Sequence, residues 1–587
     1  MHKQCIFILH VVKTADDIVA TMYVDKAKVG KGEKVYTRYL LRENYREKGK
    51  VLHRTIANLS HCSPEEIDAI RLALKHKKNL AVLGNVATDV TTRQGQSVGA
   101  VWALYVLAQR LGLCDALGSS RQGKLALWQV IARVIDQGSR LSAVRLASTH
   151  TACDILSLDR FDEDKLYGNL GWLEDNQAAI EDALFRKMYG AGAPKPSLFL
   201  YDVTSSYLEG THNELGAFGY NRDGKRGKMQ IVIGLLTNDA GIPISIELFK
   251  GNTSDPKTVS SQVKKVVERF GGGCVTFVGD RGMIRGPQIE ELKANGMHYI
   301  TAITKPQIEA LLKRGVVDMD MFDENLGEVI TAEAVRYILR RNPTRAAETA
   351  QTRHNNLNAV RKLIDEANTY LAGHPKAATE TALRRIDQFL LKRRLTAWTS
   401  LRRTGQRQLD LDIDEAALAE QSKLDGCYVM TTDLPTAVAS KEVIHSRYKD
   451  LAMVEQAFRI SKTVELEMRP VYVRTEEHTR GHALVIMLAY LLSTELRKLW
   501  SHIDITPGEG VKVLSGVHSI ELSFRGKPPV NTIPQPNVIA ANLLNAADIV
   551  LPDAIPCRGV VVATKKKLTT ERPPPILKAK THGAVTL

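Results

Sequence analysis

Cysteine is scarce in this 587-residue chain: seven residues, at positions 5, 62, 114, 153, 274, 427 and 557, with no Cys-x-x-Cys pair among them. That scatter argues against a disulfide framework and against a cysteine zinc site. Long apolar runs are missing as well. The most apolar stretch, Ala483 to Leu492, is bounded by Arg480 and Glu495; it is too short to cross a bilayer and reads as a buried core helix. The run Ile6 to Val12 follows only His2 and Lys3, has no small-residue cleavage site and is soon followed by Asp16 and Asp17. It reads as a short strand, not a leader. A cytosolic protein with no membrane partner is expected. With 44% hydrophobic and 25% charged residues, collagenous, wholly disordered and polytopic membrane classes are excluded.

Positive charge is in excess: 80 Lys and Arg against 65 Asp and Glu, a net +15. This favours a polyanionic partner such as nucleic acid. The excess is concentrated. Lys26 to Arg54 carries ten basic and three acidic residues, with Tyr36, Tyr39 and Tyr45 interleaved, a pattern that suits phosphate contact and stacking as well as the solvated face of a small sheet. Arg336 to Arg407 carries 16 basic and five acidic residues, a net +11. Within it Arg393, Arg394, Arg402 and Arg403 are candidate DNA contacts.

Changes of hydrophobic period divide the chain. Residues 1–85 read as a small β-rich basic module with runs at 6–12, 34–41 and 50–56, followed by a helix at the capping box Ser63-Pro-Glu-Glu66. Residues 86–195 read as a helical domain and a candidate reader of DNA ends. Residues 196–306 change to strands at 197–204, 229–237 and 242–249, a helix at 256–270, a strand at 275–279, a helix at 287–295 and a strand at 299–304. The order βββαβαβ implies a mixed α/β sheet covered by helices. Residues 307–422 read as a basic helical insert. Residues 423–500 return to a strand and two helices, from Lys441 to about Val464 and from Glu476 to Leu499. Residues 501–587 read as irregular, with a basic tail.

Two acids stand where strands would bring them together. Asp202 follows the first strand and Asp280 the fourth, so neighbouring strands would place both carboxylates near one point. An Asp at a strand end is also a common turn former or cap. Nearby acids compete for the same roles: Asp223 and Asp239, Asp255 as a cap for the helix begun by Pro256, and Asp425 as a turn former. On the helix from Lys441, Tyr448, Glu455 and Lys462 are spaced seven apart and would share one face. Arg459, four residues after Glu455, suits DNA contact or a simple ion pair. His478 and His482, also four apart, lack a third metal ligand and read as packing residues.

The pattern Tyr448-x-x-Leu451-x-x-x-Glu455-x-x-x-x-x-x-Lys462 resembles the Tyr/Arg/Glu/Lys signature of bacterial insertion-sequence transposases of the DDE type. Arg54-Thr-Ile-Ala-Asn-Leu-Ser60 resembles the start of one branch of that group. The resemblance implies a ribonuclease H-like catalytic domain over about Pro196 to Leu499, interrupted by an insert, with Asp202, Asp280 and Glu455 as catalytic metal ligands. Tyr448, Arg459 and Lys462 would contact DNA. Leu451 departs from the signature, which has Arg there, so that contact must be absent or come from Arg447 or Arg459.

Two Mg²⁺ ions, with Mn²⁺ as a substitute, are implied, since such ions activate the attacking oxygen and stabilise the leaving one, and Mg²⁺ prefers carboxylate oxygens. The implied partners are double-stranded DNA, as terminal inverted repeats and target, and a second copy of the chain in a homodimer on DNA. The implied location is the cytoplasm, at the bacterial nucleoid when bound to DNA. A DNA-binding protein that has lost strand transfer and a structure-specific nuclease on the same fold remain open at this point.

Overall fold

The computed structural model describes residues 21–31, 34–47, 50–78, 90–190, 195–271, 275–405, 407–463, 465–524 and 530–566. The strand expected at 6–12 and the tail from Lys567 onward lie outside them. The chain divides into two compact units, residues 1–93 with 521–530 and residues 94–520 with 531–587.

In the first unit β1 (Thr21–Lys31), β2 (Lys34–Glu47) and β3 (Lys50–Asn58) form an antiparallel sheet in that order. The charged segment β1 was not foreseen as a strand; pairing with β2 along its whole length fixes it. Helix α1 (Pro64–Lys75) starts at the expected capping box. Ser63 Oγ accepts the Glu66 N–H at 3.2 Å, and Glu66 Oε2 accepts the Ser63 N–H at 2.7 Å, so two otherwise unpaired donors are satisfied. Leu40, Leu59 and Ile67 are buried, whereas β3 is exposed along nearly its whole length. Two of the interleaved tyrosines are already covered by cations: Lys26 and Arg71 lie over Tyr39, and Arg54 lies over Tyr45.

The chain continues through β4 (Val90–Ser97) and a helical block: α2 (Gly99–Arg110), α3 (Leu113–Leu117), α4 (Arg121–Ile135), α5 (Arg140–Thr149), α6 (Ala152–Ile155), α7 (Glu163–Asp175) and α8 (Gln177–Tyr189). Then the aliphatic runs become strands: β5 (Leu198–Tyr207), β6 (Gln230–Asn238) and β7 (Pro243–Lys250). Helix α9 (Asp255–Arg269), β8 (Thr276–Gly279), α10 (Gly286–Ala294) and β9 (His298–Ala302) follow. These are the elements expected, in the order expected. The β6–β7 turn is held by Asn238 Oδ1, which accepts the N–H groups of Ala240 and Ile242, while Gly241 takes φ +73°, the left-handed region that favours glycine.

Next come α11 (Lys305–Lys313), β10 (Gly327–Ile330), β11 (Arg336–Arg341), α12 (Pro343–Gly373), α13 (Thr379–Lys392), β12 (Thr399–Thr404), β13 (Gln408–Ile413), α14 (Glu415–Lys423) and β14 (Cys427–Thr432). The large sheet has eight strands in the order β10–β11–β14–β9–β8–β5–β6–β7. This corrects the helical reading of 307–422, because β10 and β11 belong to the sheet. Ile338 and Leu339 of β11 are fully buried, and the basic residues around them masked that short apolar pair. The hairpin β12–β13 and helices α12 and α13 build a separate small core around Val360, Ile386, Leu390 and Trp398.

The expected helix 441–464 is two helices, α15 (Lys441–Lys449) and α16 (Leu451–Lys462), joined at Asp450. After α17 (Glu476–Leu499) come α18 (Pro507–Ser515), β15 (His518–Phe524), β16 (Val530–Thr532) and α19 (Val538–Ala546). Residues 501–566 are therefore not uniformly irregular. Thr506, Pro507 and Glu509 form another capping box, and the Trp500 indole donates to Leu543 O at 3.0 Å.

Helix α17 is apolar and buried over most of its circumference, as a helix needs to be when enclosed on several sides. It packs on α4, α7 and β7, so the helical block and one face of the sheet share a core. At its crossing with α7, a Cβ on Gly481 would fall 2.0 Å from Leu170 O. Only glycine permits that approach.

Candidate active site

Strand β5 pairs in parallel with β8, Tyr201 opposite Gly279. The next residue on each strand is an acid, Asp202 and Asp280, so the register brings the two together at one level of the sheet. Asp202 does not end its strand: β5 continues to Tyr207 against β6. It is β8 that stops, and this opens a cavity of about 400 Å³ beside Asp202. Helix α16 crosses β5 and contributes Glu455 to the same cavity, with Arg459 and Lys462.

Burial, reinforced by the charges of Asp280 and Glu455, pushes the Asp202 carboxyl up to about 7. Asp280 and Glu455 are exposed to the cavity. Asp280 Oδ1 accepts the Arg281 N–H at 2.8 Å and the Tyr448 hydroxyl at 3.0 Å. The Tyr448 hydroxyl is pushed well up, first by its own burial and then by the charge of Asp280. Although the break at Asp450 puts Tyr448 on α15, its hydroxyl still meets the acid.

Lys462 does not reach outward as the DNA contact implied by the resemblance would require. It is buried, with Nζ 2.7 Å from Asp223 Oδ1, 2.9 Å from Thr204 Oγ1 and 2.7 Å from Ser205 O. Burial lowers its pKa in spite of Asp223. Arg459 is exposed and has no ion pair among the described residues, so the simple i,i+4 pair with Glu455 is not formed. Leu451 is buried in the core, and Arg447 pairs with Asp450 at 3.4 Å.

Sequence reasoning missed Arg222 and Arg469, which also line the cavity. Asp255 holds Arg222 through both carboxylate oxygens, at 2.6 and 2.7 Å, and gives no side-chain cap to α9. Asp223, a competing acid, is 1% exposed and pairs with both Lys462 and Arg469. Asp425 is likewise a buried ion-pair partner, of Arg353. His482 accepts from buried Arg140, and His478 lies against the ring of Tyr167.

Several arginines of the basic segment turn inward. Arg336 is buried against Glu328 and the carbonyls of Leu434 and Ala439. Arg407 donates to four carbonyls just after and at the end of α12, where a cation complements the helix dipole. Of the four candidate contacts, Arg402 pairs with Asp410, Arg403 with Glu380, and Arg393 donates to Asn356. Arg394 has no ion pair among the described residues and borders a hollow with Lys305, Arg345 and Arg353.

Among the described residues no three acid, His or Cys side chains stand close enough to hold one ion as placed. The donor set nonetheless suits a hard cation. It is all carboxylate, and Asp202 carries a charge penalty that a cation facing Asp280 and Glu455 would relieve.

Residues 24–82 match the IS1634 family transposase N-terminal domain, and residues 193–492 match the transposase DDE domain. No curated protein matches the chain. Among solved structures the chain is similar to piggyBac transposase in a cryo-EM structure of its synaptic complex with hairpin DNA, at 10% identity and a TM-score of 0.32, over 67% of this chain and 69% of that one. That likeness is too distant to argue from. The DDE match covers more than half of the sequence and every residue that lines the acidic cavity, and the chain belongs to the DDE transposases of insertion sequences.

Proposed function

We propose that Asp202, Asp280 and Glu455 are the catalytic carboxylates of this transposase and act at element ends and then on target DNA. The observation that carries this reading is the parallel register of Tyr201 with Gly279, which sets the two aspartates side by side while Glu455 faces the same cavity. A DDE transposase depends on a divalent metal, and here the three acids would hold two Mg²⁺, replaceable by Mn²⁺. A bound divalent ion supplies Lewis-acid stabilisation and makes the attacking oxygen more anionic. Arg459 would bind the phosphate under attack, Tyr448 would hold Asp280 in place, and Lys462 with Asp223 would fix the end of α16.

The succession βββαβαβ and the order β7–β6–β5–β8–β9 support a ribonuclease H-like core, with the helical block and the basic insert as its DNA-holding neighbours. Joining two ends implies a dimer on DNA, at the nucleoid.

Asp280→Asn tests the reading. It should abolish both cleavage of terminal-repeat DNA and joining to a plasmid in the presence of Mg²⁺. Wild-type rates in that variant would place the chemistry elsewhere, and cleavage by the unaltered protein without any joining would make it a nuclease.

A further inference from the structure

Beside the acidic cavity lies a second one, of about 470 Å³, that the catalytic reading does not use. Three arginines line it, and two of them are buried: Arg133 is 5% exposed and Arg140 6%. Neither has a carboxylate within ion-pair distance among the described residues. Arg133 Nη1 donates to Gln137 O at 2.5 Å; burial lowers its pKa, and Asp136 and Glu467, the latter itself on the cavity wall, offset part of this from beyond ion-pair distance. Arg140 is more isolated. Its Nη2 donates to His482 Nδ1 at 3.0 Å, and its Nε has no hydrogen-bond partner among the described residues.

His482 cannot neutralise Arg140. It accepts the guanidinium proton through Nδ1, and burial beside Arg140 and Arg133 holds its pKa well below the usual histidine value. Burial first, and then the neighbouring Arg133, lower Arg140 to about 9. A buried charge is normally paired, because desolvating it costs several kcal/mol, and a buried N–H donor without an acceptor adds to that cost. Two guanidiniums kept under these conditions suit an anion with several acceptor oxygens.

The surroundings fit such an anion. Gly138, Ser139 and Arg140 form the N-terminus of α5 on the cavity wall, and the positive end of a ten-residue helix favours negative charge. Tyr472, 73% exposed, stands at the rim. Arg469 lines both this cavity and the acidic one, so a chain of phosphates lying across the acids has a cationic path between them.

We infer that this cavity is a phosphate site, built from Arg133 and Arg140, for the DNA strand that continues past the catalytic acids. The inference rests on the reading that those acids act on DNA phosphodiesters.

Inorganic phosphate is the first probe. It should raise the melting temperature of the unaltered protein and leave that of Arg140→Met unchanged, while Arg140→Lys keeps part of the shift. Without phosphate, Arg140→Met should melt no lower than wild type, since it removes an unpaired buried charge; an Arg140 that only braces the fold would melt lower. Arg133→Gln should shrink the phosphate shift too, so the test does not depend on one variant folding. A full shift in both variants would overturn the site.

The second probe is a duplex of the terminal repeat that flanks the gene. Loss of one phosphate contact in Arg140→Met should lower the slope of log K against log salt by about 0.9. A phosphate shift with an unchanged DNA slope would make this a pocket for small free anions and overturn its assignment to DNA. Failure of the catalytic reading looks different: Asp280→Asn would then cut at wild-type rate, with the phosphate shift still present.

Discussion

Lys462 Nζ lies 2.7 Å from Asp223 Oδ1, and the same oxygen takes Arg469 Nη1 at 2.6 Å. One buried carboxylate therefore holds two cations at the edge of the acidic cavity, and it also accepts the Tyr207 N–H at the end of β5. Asp223→Asn leaves Lys462 and Arg469 facing each other without a counter-charge and should cost about 3–5 kcal/mol in urea unfolding. Lys462→Met leaves Asp223 with Arg469 and should cost clearly less. Equal losses in the two variants would mean that Asp223 does not serve both cations.

Asp202 makes the metal-free protein sensitive to pH. Its folded pKa of about 7 lies above the unfolded value of about 3.9. Between those values the folded state keeps a proton that the unfolded chain has released, so stability falls as pH rises from about 4 to 7 and stays reduced above that. The loss should be on the order of a few kcal/mol. Thermal melts in chelator should show this decline, and Asp202→Asn should flatten it. A divalent cation should raise the melting temperature more at about pH 8 than at about pH 5, because only the ionised carboxyl binds it. An unchanged pH profile in Asp202→Asn would assign the effect to another group.

The acids Asp202 and Asp280 were legible because each follows a short continuous apolar run, Leu198 to Tyr201 and Val275 to Gly279, and parallel pairing of those runs brings the residues after them to one level. Other features had no local signature. Asp450 keeps helical angles, φ −61° and ψ −16°, and apolar residues continue at helical spacing on both sides, so nothing in the sequence separated α15 from α16. Strand β11 was hidden among arginines that prove to be buried or paired. The net charge of residues 336–407 is real, yet Arg336 and Arg407 spend theirs on interior carboxylates and carbonyls. Composition counts charges and is blind to direction; only packing shows that Lys462 points inward and Arg459 does not.

Tyr448 offers a test of positioning apart from metal binding. Tyr448→Phe keeps the ring but removes the hydroxyl that donates to Asp280 at 3.0 Å, leaving that oxygen with the Arg281 N–H. Hydrogen bonds to charged groups contribute about 1.5–3 kcal/mol, so single-turnover cleavage should slow by roughly tenfold or more if the bond persists in the transition state. The melting temperature should hardly move, because the hydroxyl bonds an exposed carboxylate. An unchanged cleavage rate would remove Tyr448 from the positioning role.

Arg394 separates stability from DNA contact within the insert. It follows α13 with φ +58°, and the Leu395 N–H donates to Leu390 O at 3.0 Å, the closing geometry in which glycine is usual. Arginine in that conformation costs about 1 kcal/mol or more. Its side chain is exposed and unpaired among the described residues, whereas Arg403 is held by Glu380. Arg394→Gly should therefore stabilise the protein by about 1 kcal/mol and yet weaken DNA binding, lowering the salt slope by about 0.9. Arg403→Ala should change that slope less, since its charge is already engaged. Urea unfolding and DNA titrations at several salt concentrations measure both effects, and a DNA affinity untouched by Arg394→Gly would leave the insert's exposed charge as a solvated surface.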